Sequence, residues 1–234
     1  TRYRSSAASD VYKRQHYRMS NFSYDVHWLN SPGYLTAEVP SAVAAELRGS
    51  MDSLVKNSDT DARTSLRGHL QEEWTLPLTK EISAFTRCLS YEYIKQFGFQ
   101  PAMGVAETMR DIETSDFKLQ RLWVNYQKKY DFNPLHIHSG IFSFVIWVQI
   151  PYDLEKERAR YVTNENETAS FMFQYNTALG GLDTRYLHID KSWEWKIAFF
   201  PARLNHGVNP FYTTDNTRIS ISGNLYCIDN NVEH

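Results

Sequence analysis

His136 and His138 stand two residues apart in Asn133-Pro-Leu-His-Ile-His-Ser-Gly, directly ahead of the largely apolar run from Ile141 to Ile150. In an extended chain the side chains at i and i+2 point to the same face, so these two imidazoles point together. Neutral imidazole nitrogens converging on one side of a strand suit a transition metal, but two of them make only part of a site. The third candidate is His206, seventy positions after His136, in Ala202-Arg-Leu-Asn-His-Gly-Val-Asn-Pro. A close pair on one strand and a single histidine on a distant strand can converge inside a β-sandwich. Three ligands on one side of a metal leave the opposite positions for substrate, water or oxygen.

Twelve residues after His206, Arg218 opens the segment Thr217-Arg-Ile-Ser-Ile-Ser-Gly-Asn-Leu-Tyr. Period-two alternation puts Arg218, Ser220, Ser222 and Asn224 on one face, with Ile219, Ile221 and Leu225 mostly on the other. Such a polar face fits either an ordinary solvated strand or the wall of a ligand cavity. A guanidinium holds a carboxylate by two parallel hydrogen bonds, and a hydroxyl two residues along adds a third. Following a ligand histidine, the Arg218–Ser220 pair points to a carboxylate-bearing cosubstrate. Asn125, a polar residue in a β-type segment upstream of His136, is a candidate contact to that cosubstrate or to a metal ligand, with a turn or edge position as the alternative. Asn224 is the equivalent candidate at the far end of the Arg218 face, while Trp123 and Trp147 are assigned to the core. His188-Ile-Asp190 is a competing ligand pair, but Asp190 lies only 16 residues before His206 and just ahead of a turn at Lys191-Ser192, so it reads as surface or edge-strand polarity. His69 has no ligand-spaced neighbour and reads as structural or solvated.

The elements that position these residues follow from pattern. Pro40 precedes a helix over Ser41–Val55, in which Val43, Leu47, Met51 and Leu54 recur at helical spacing. A second helix is predicted from about Leu78 to Gln96, stopped by Gly98. A strand with a Ser-Pro-Gly turn is expected within Tyr24–Leu35. After Phe117 the rhythm changes to short β-type segments over 117–127, 135–150, 168–176, 184–189, 193–200, 202–208 and 217–227. That spacing argues for an antiparallel sandwich or barrel rather than βαβ units. The charge-rich stretch Asp153–Glu167 reads as a solvated loop.

With 234 residues the chain can bury one generous core, and the 15% aromatic content favours amphipathic strands. A net charge of −2 gives no reason to expect nucleic acid or an anionic membrane as partner. The longest apolar run is too short to span a bilayer, no signal-peptide plan is seen, and two distant cysteines suit a reducing, cytoplasmic setting. Residues 1–18 are set aside: the basic, aperiodic TRYRSSAASDVYKRQ reads as non-native or as a disordered tail, with Met19 as the expected start. Residues 19–116 are expected to form an N-terminal helical elaboration on a β core over 117–230, as one structural domain.

Taken together, Trp123-Val-Asn125, Asn133-Pro-Leu-His136-Ile-His138-Ser-Gly, the distal His206 and Arg218-Ile-Ser-Ile-Ser-Gly-Asn224 resemble the Fe(II)- and 2-oxoglutarate-dependent oxygenases. Within them the pattern is similar to a branch common in marine bacteria and their phages. The resemblance covers about 117–227 well, and Leu66-Arg-Gly68 to Leu76 more faintly. It implies a mainly β fold, a double-stranded β-helix (jelly roll) with the N-terminal helices packed against it. It further implies Fe(II) as cofactor, 2-oxoglutarate and O2 as cosubstrates, and hydroxylation of an unidentified prime substrate. By position, His136 matches the first histidine, His206 the distal one, and Arg218 with Ser220 the pair that holds the far carboxylate of 2-oxoglutarate. His138 departs from the pattern, since it stands where the family places Asp or Glu. Three imidazoles suit Zn(II) as well as iron. Two alternatives therefore stay open: a three-His metal oxygenase that does not use 2-oxoglutarate, and a non-enzymatic jelly-roll protein of a virion or binding type with a degenerate metal site.

Overall fold

Alternating apolar residues from position 115 onward fold as antiparallel strands, and the computed structural model describes residues 22–27, 33–63, 68–98, 115–160 and 167–229. The N-terminal tail with its expected start at Met19, the Ser31-Pro32 turn, Leu66-Arg67 and positions 161–166 of the charged stretch lie outside the described residues. In chain order the elements are β1 (Tyr24–His27), β2 (Tyr34–Glu38), α1 (Ser41–Asp52), β3 (Glu72–Thr75), α2 (Lys80–Phe97), β4 (Ser115–Gln127), β5 (Asn133–His136) and β6 (Phe142–Gln149). There follow α3 (Leu154–Arg158), β7 (Phe171–Asn176), β8 (Leu182–Leu187), a 3-10 turn (Lys191–Trp193), β9 (Lys196–Pro201), β10 (Asn205–Val208) and β11 (Arg218–Asp229).

The strands form a seven-stranded sheet in the order β1-β2-β9-β6-β11-β4-β3 and a four-stranded sheet in the order β5-β10-β7-β8. Strands β4 to β11 are thus shared between the two sheets, β4, β6, β9 and β11 in the larger and β5, β7, β8 and β10 in the smaller, with antiparallel pairing throughout. This is the expected double-stranded β-helix. The N-terminal part is more than helical: β1 and β2 extend one edge of the larger sheet and β3 the other.

Layering explains why β6 reads as one continuous apolar run. Phe142, Phe144 and Ile146 pack with α1 and α2 residues such as Leu47, Ile82, Phe85 and Leu89, whereas Val145 and Trp147 face the smaller sheet with Phe171 and Phe173. A strand covered on both faces has no solvated side to carry polar residues. The same period governs β11, where Ile221 joins the helix-side core and Arg218 turns inward. Both helices form close to their predicted bounds, α2 ending where Gly98 takes φ +75° and its N–H donates to the Ile94 carbonyl.

The charged stretch departs from expectation. Asp153 caps α3 by accepting from the Glu155 and Lys156 N–H groups, and Glu157 is fully buried. Its carboxylate accepts from the Tyr212 and Thr213 N–H groups and from the Thr213 hydroxyl, tying α3 to the segment that leads into β11. A period-based reading misses this because charge composition marks a solvated loop unless the partner donors, here 55 residues away, are known. Glu157→Ala orphans those donors and is expected to cost about 3 kcal/mol, read as a lowered urea midpoint. An unchanged midpoint would remove the latch from this account.

Candidate metal centre and ligand cavity

The antiparallel register of β5 and β10 sets His136 directly opposite His206. β5 lies at the edge of its sheet, which is why Pro134 is tolerated there without costing a ladder bond on a second side. His138 lies just beyond the strand, where its backbone N–H donates to the Ala202 carbonyl at 2.9 Å. The loop then turns at Gly140, whose φ of +98° and 2.6 Å approach of a notional Cβ to the Leu225 carbonyl leave no room for another residue.

The three imidazoles converge. Ring centroids are 4.8 Å apart for His136–His138, 4.4 Å for His136–His206 and 5.0 Å for His138–His206, and one ligand nitrogen from each falls within 4.8 Å of the others. His136 Nδ1 lies 2.7 Å from the Pro134 carbonyl and His206 Nδ1 lies 2.8 Å from the Leu204 carbonyl. A carbonyl can only accept, so each Nδ1 carries the proton and each Nε2 keeps its lone pair for a metal. Burial, with His136 and His138 as neighbours, holds His206 well below the usual imidazole range. Burial and then the nearby His136 and Arg121 press His138 down to about 3. Both are neutral donors at physiological pH, the state a metal needs. Phe171 and Phe200 flank the His206 ring, and Trp123 stands edge-on to His138. The donor set and its dry surroundings fit a first-row divalent metal.

Arg218 opens onto the same cavity and is 2% exposed. Nε donates to Gln127 Oε1 at 3.0 Å, Nη1 to the Tyr152 hydroxyl and the Ala169 carbonyl at 3.2 Å each, and Nη2 to the Asn209 carbonyl at 2.9 Å. Every one of these acceptors is neutral, and among the described residues no carboxylate forms an ion pair with Arg218. A buried cation with no contact ion pair beside a metal-ligand cluster is costly, and a ligand anion would offset that cost. Asn125 donates through Nδ2 to the Ser220 and Ser222 hydroxyls at 3.2 and 3.4 Å, and all three line the cavity. Asn224 is buried, accepts from the Ser143 hydroxyl at 2.7 Å and is not among the lining residues. Trp123 and Trp147 are buried as expected, yet both also form cavity wall.

The competing pair does not assemble. His188 is exposed, and Asp190 caps the 3-10 turn by accepting from the Ser192 N–H. His69 is exposed and stacks on Phe132 at 4.6 Å.

Two cavity residues escaped the pattern reading. Gln127 was legible, since period two from Trp123 and Asn125 reaches it. Glu73 was not: its neighbour Glu72 is salt-bridged to Lys56 at 2.6 Å, whereas Glu73 is 3% exposed and faces the cavity. Burial raises the Glu73 carboxyl to about 7, against a smaller opposing effect of Arg63. The folded state therefore holds this proton more tightly than the unfolded chain. Its stabilising contribution is complete below the ordinary carboxyl pKa and is lost as pH rises through about 7. Wild type is expected to lose on the order of 2 kcal/mol between pH 4.5 and 7.5 relative to Glu73→Gln, measured by urea unfolding across that range. Parallel pH profiles for the two proteins would refute it.

Residues 121–224 match the model of a family described as "Putative 2OG-Fe(II) oxygenase". No curated protein matches the chain. Among solved structures it is similar to an oxidoreductase of the 2OG-Fe(II) oxygenase family from Burkholderia pseudomallei, at 12% identity over 82% of this chain and 84% of that one, TM-score 0.43. It is also similar to the viral collagen prolyl hydroxylase vCPH from Paramecium Bursaria Chlorella virus-1 in its 2OG complex, at 10% identity over 82% and 94%, TM-score 0.42. A third likeness is to HygX from Streptomyces hygroscopicus with nickel and 2-oxoglutarate bound, at 12% identity over 82% of each chain, TM-score 0.39.

Proposed function

We propose that this chain, whose residues 121–224 match the model of the putative 2OG-Fe(II) oxygenase family, is a non-haem Fe(II)- and 2-oxoglutarate-dependent dioxygenase that hydroxylates a C–H bond of its substrate. One observation carries the reading: a three-imidazole cluster and a buried guanidinium that forms no ion pair among the described residues share one cavity. His136, His138 and His206 would hold the iron. Bound Fe(II) supplies the redox chemistry by which O2 converts 2-oxoglutarate to succinate and carbon dioxide and oxidises the substrate.

The chain's own residues bind, orient and exclude water. Three neutral ligands add no negative charge, so a metal dication and Arg218 together favour a dianionic cosubstrate at this site. Arg218 spends four of the five guanidinium N–H donors on Gln127, Tyr152, Ala169 and Asn209, which fixes its plane and leaves one Nη2 proton for the far carboxylate. The Ser220 hydroxyl accepts from Asn125 and keeps its own proton to donate to the same carboxylate. Trp147, Phe171 and Phe200 wall the cavity against water, which strengthens each of these charged contacts.

A second reading, a three-His metal oxygenase that does not use 2-oxoglutarate, is favoured by the same count, since Arg218 is largely satisfied by the protein. Anaerobic titration with Fe(II) and then 2-oxoglutarate separates the two. The dioxygenase reading expects a visible charge-transfer band on adding 2-oxoglutarate, and succinate once oxygen is admitted. Tight iron binding with neither result supports the second reading and sinks the first.

A further inference from the structure

Glu73 is a second buried ionisable group in the cavity wall, after Arg218. It sits on β3 opposite Asn125 on β4, and it lines the cavity that holds the three histidines and Arg218. No hydrogen bond or ion pair reaches its carboxylate among the described residues. Arg63, a cation that bears on it electrostatically, is exposed and already bound to Asp61 through Nε and Nη2 and to the Gln71 carbonyl through Nη1. Lys56 is taken by Glu72. Arg218 makes no ion pair with Glu73 although both reach the cavity. Beside Glu73, Asn125 Oδ1 is buried without a partner, and so is the Oδ1 of Asn133, another lining residue.

These unmet groups are all acceptors. A carboxylate in a cavity wall that forms no ion pair among the described residues, flanked by amide oxygens with no donor, carries a desolvation cost that an incoming donor-rich cation removes. Arg218 accounts for an anionic ligand; it cannot account for this wall. We propose that Glu73, with Asn125 Oδ1, is the substrate-recognition pole of the cavity and that the substrate presents a protonated amine or guanidinium there. This rests on the dioxygenase reading only for calling the guest a substrate. The raised Glu73 pKa is consistent with such a pole, since an arriving cation draws the carboxyl into its charged form.

The probes are methylguanidinium chloride and its neutral isostere N-methylurea, titrated by calorimetry under argon into full-length protein supplied with Fe(II) and 2-oxoglutarate. In wild type the cation is expected to bind at least about tenfold more tightly than the urea. Glu73→Gln should abolish that preference, while Glu73→Asp, which keeps the charge, should retain part of it and guards against a folding defect in the first variant. Equal affinity for the two probes, no binding of the cation, or a cation preference that survives in Glu73→Gln overturns the proposal. So does a Glu73→Gln protein whose loss falls on iron or 2-oxoglutarate affinity, because the carboxylate would then serve the metal centre. The visible chelate band, recorded in the same samples, reports separately on the dioxygenase reading, and the cation preference decides this proposal whether or not the band appears.

Discussion

Replacing His206 with alanine is expected to abolish Fe(II) binding. His206 is 4% exposed, is set opposite His136 by the strand register, and keeps Nε2 free because Nδ1 donates to the Leu204 carbonyl. Losing a group that merely orients a ligand costs 10- to 100-fold in metal affinity, so loss of a ligand should exceed about 100-fold. Anaerobic calorimetric titration measures it directly. His138→Asp makes the informative contrast, because it introduces a carboxylate with a negative charge that the metal attracts. That variant is expected to retain iron binding. Iron bound by His206→Ala as tightly as by wild type would dismantle the three-histidine centre.

Arg218→Ala should raise the 2-oxoglutarate concentration needed for half-maximal succinate production by about 100-fold, the scale of losing one partner of a buried charge pair. Iron affinity should change little, since none of the bonds holding Arg218 involves a histidine. The substitution also strips a donor from Gln127 Oε1 and from the Ala169 and Asn209 carbonyls, so a loss of folding stability is expected alongside. Arg218→Lys keeps the charge without the fork and should fall between wild type and alanine. Equal losses of iron and 2-oxoglutarate affinity in Arg218→Ala would mean that the arginine is a structural strut rather than a cosubstrate contact.

Local chemistry determined much of this molecule in advance. The two-residue spacing of His136 and His138, the alternation from Arg218 to Ser222 and the strand rhythm after residue 115 are properties of neighbouring residues, so the sequence alone specifies them. Helix bounds were legible for the same reason, through Pro40 and Gly98. Other features depend on which distant strands become neighbours, and only the tertiary structure decided those. His188-Ile-Asp190 has the more literal ligand spacing, yet topology leaves His188 exposed and brings His206 opposite His136 instead. Asn224 shares a strand face with Arg218, but Ser143 on the adjacent β6 engages it away from the cavity wall. Glu72 and Glu73 are chemically identical neighbours, and Glu157 lies in a run of ordinary surface charges. Pleating against β4 turned one of the pair outward to Lys56 and the other into the cavity, and the chain's return at Tyr212 and Thr213 buried Glu157. Sequence period fixes which side of a strand a residue occupies; what waits on that side is set by packing.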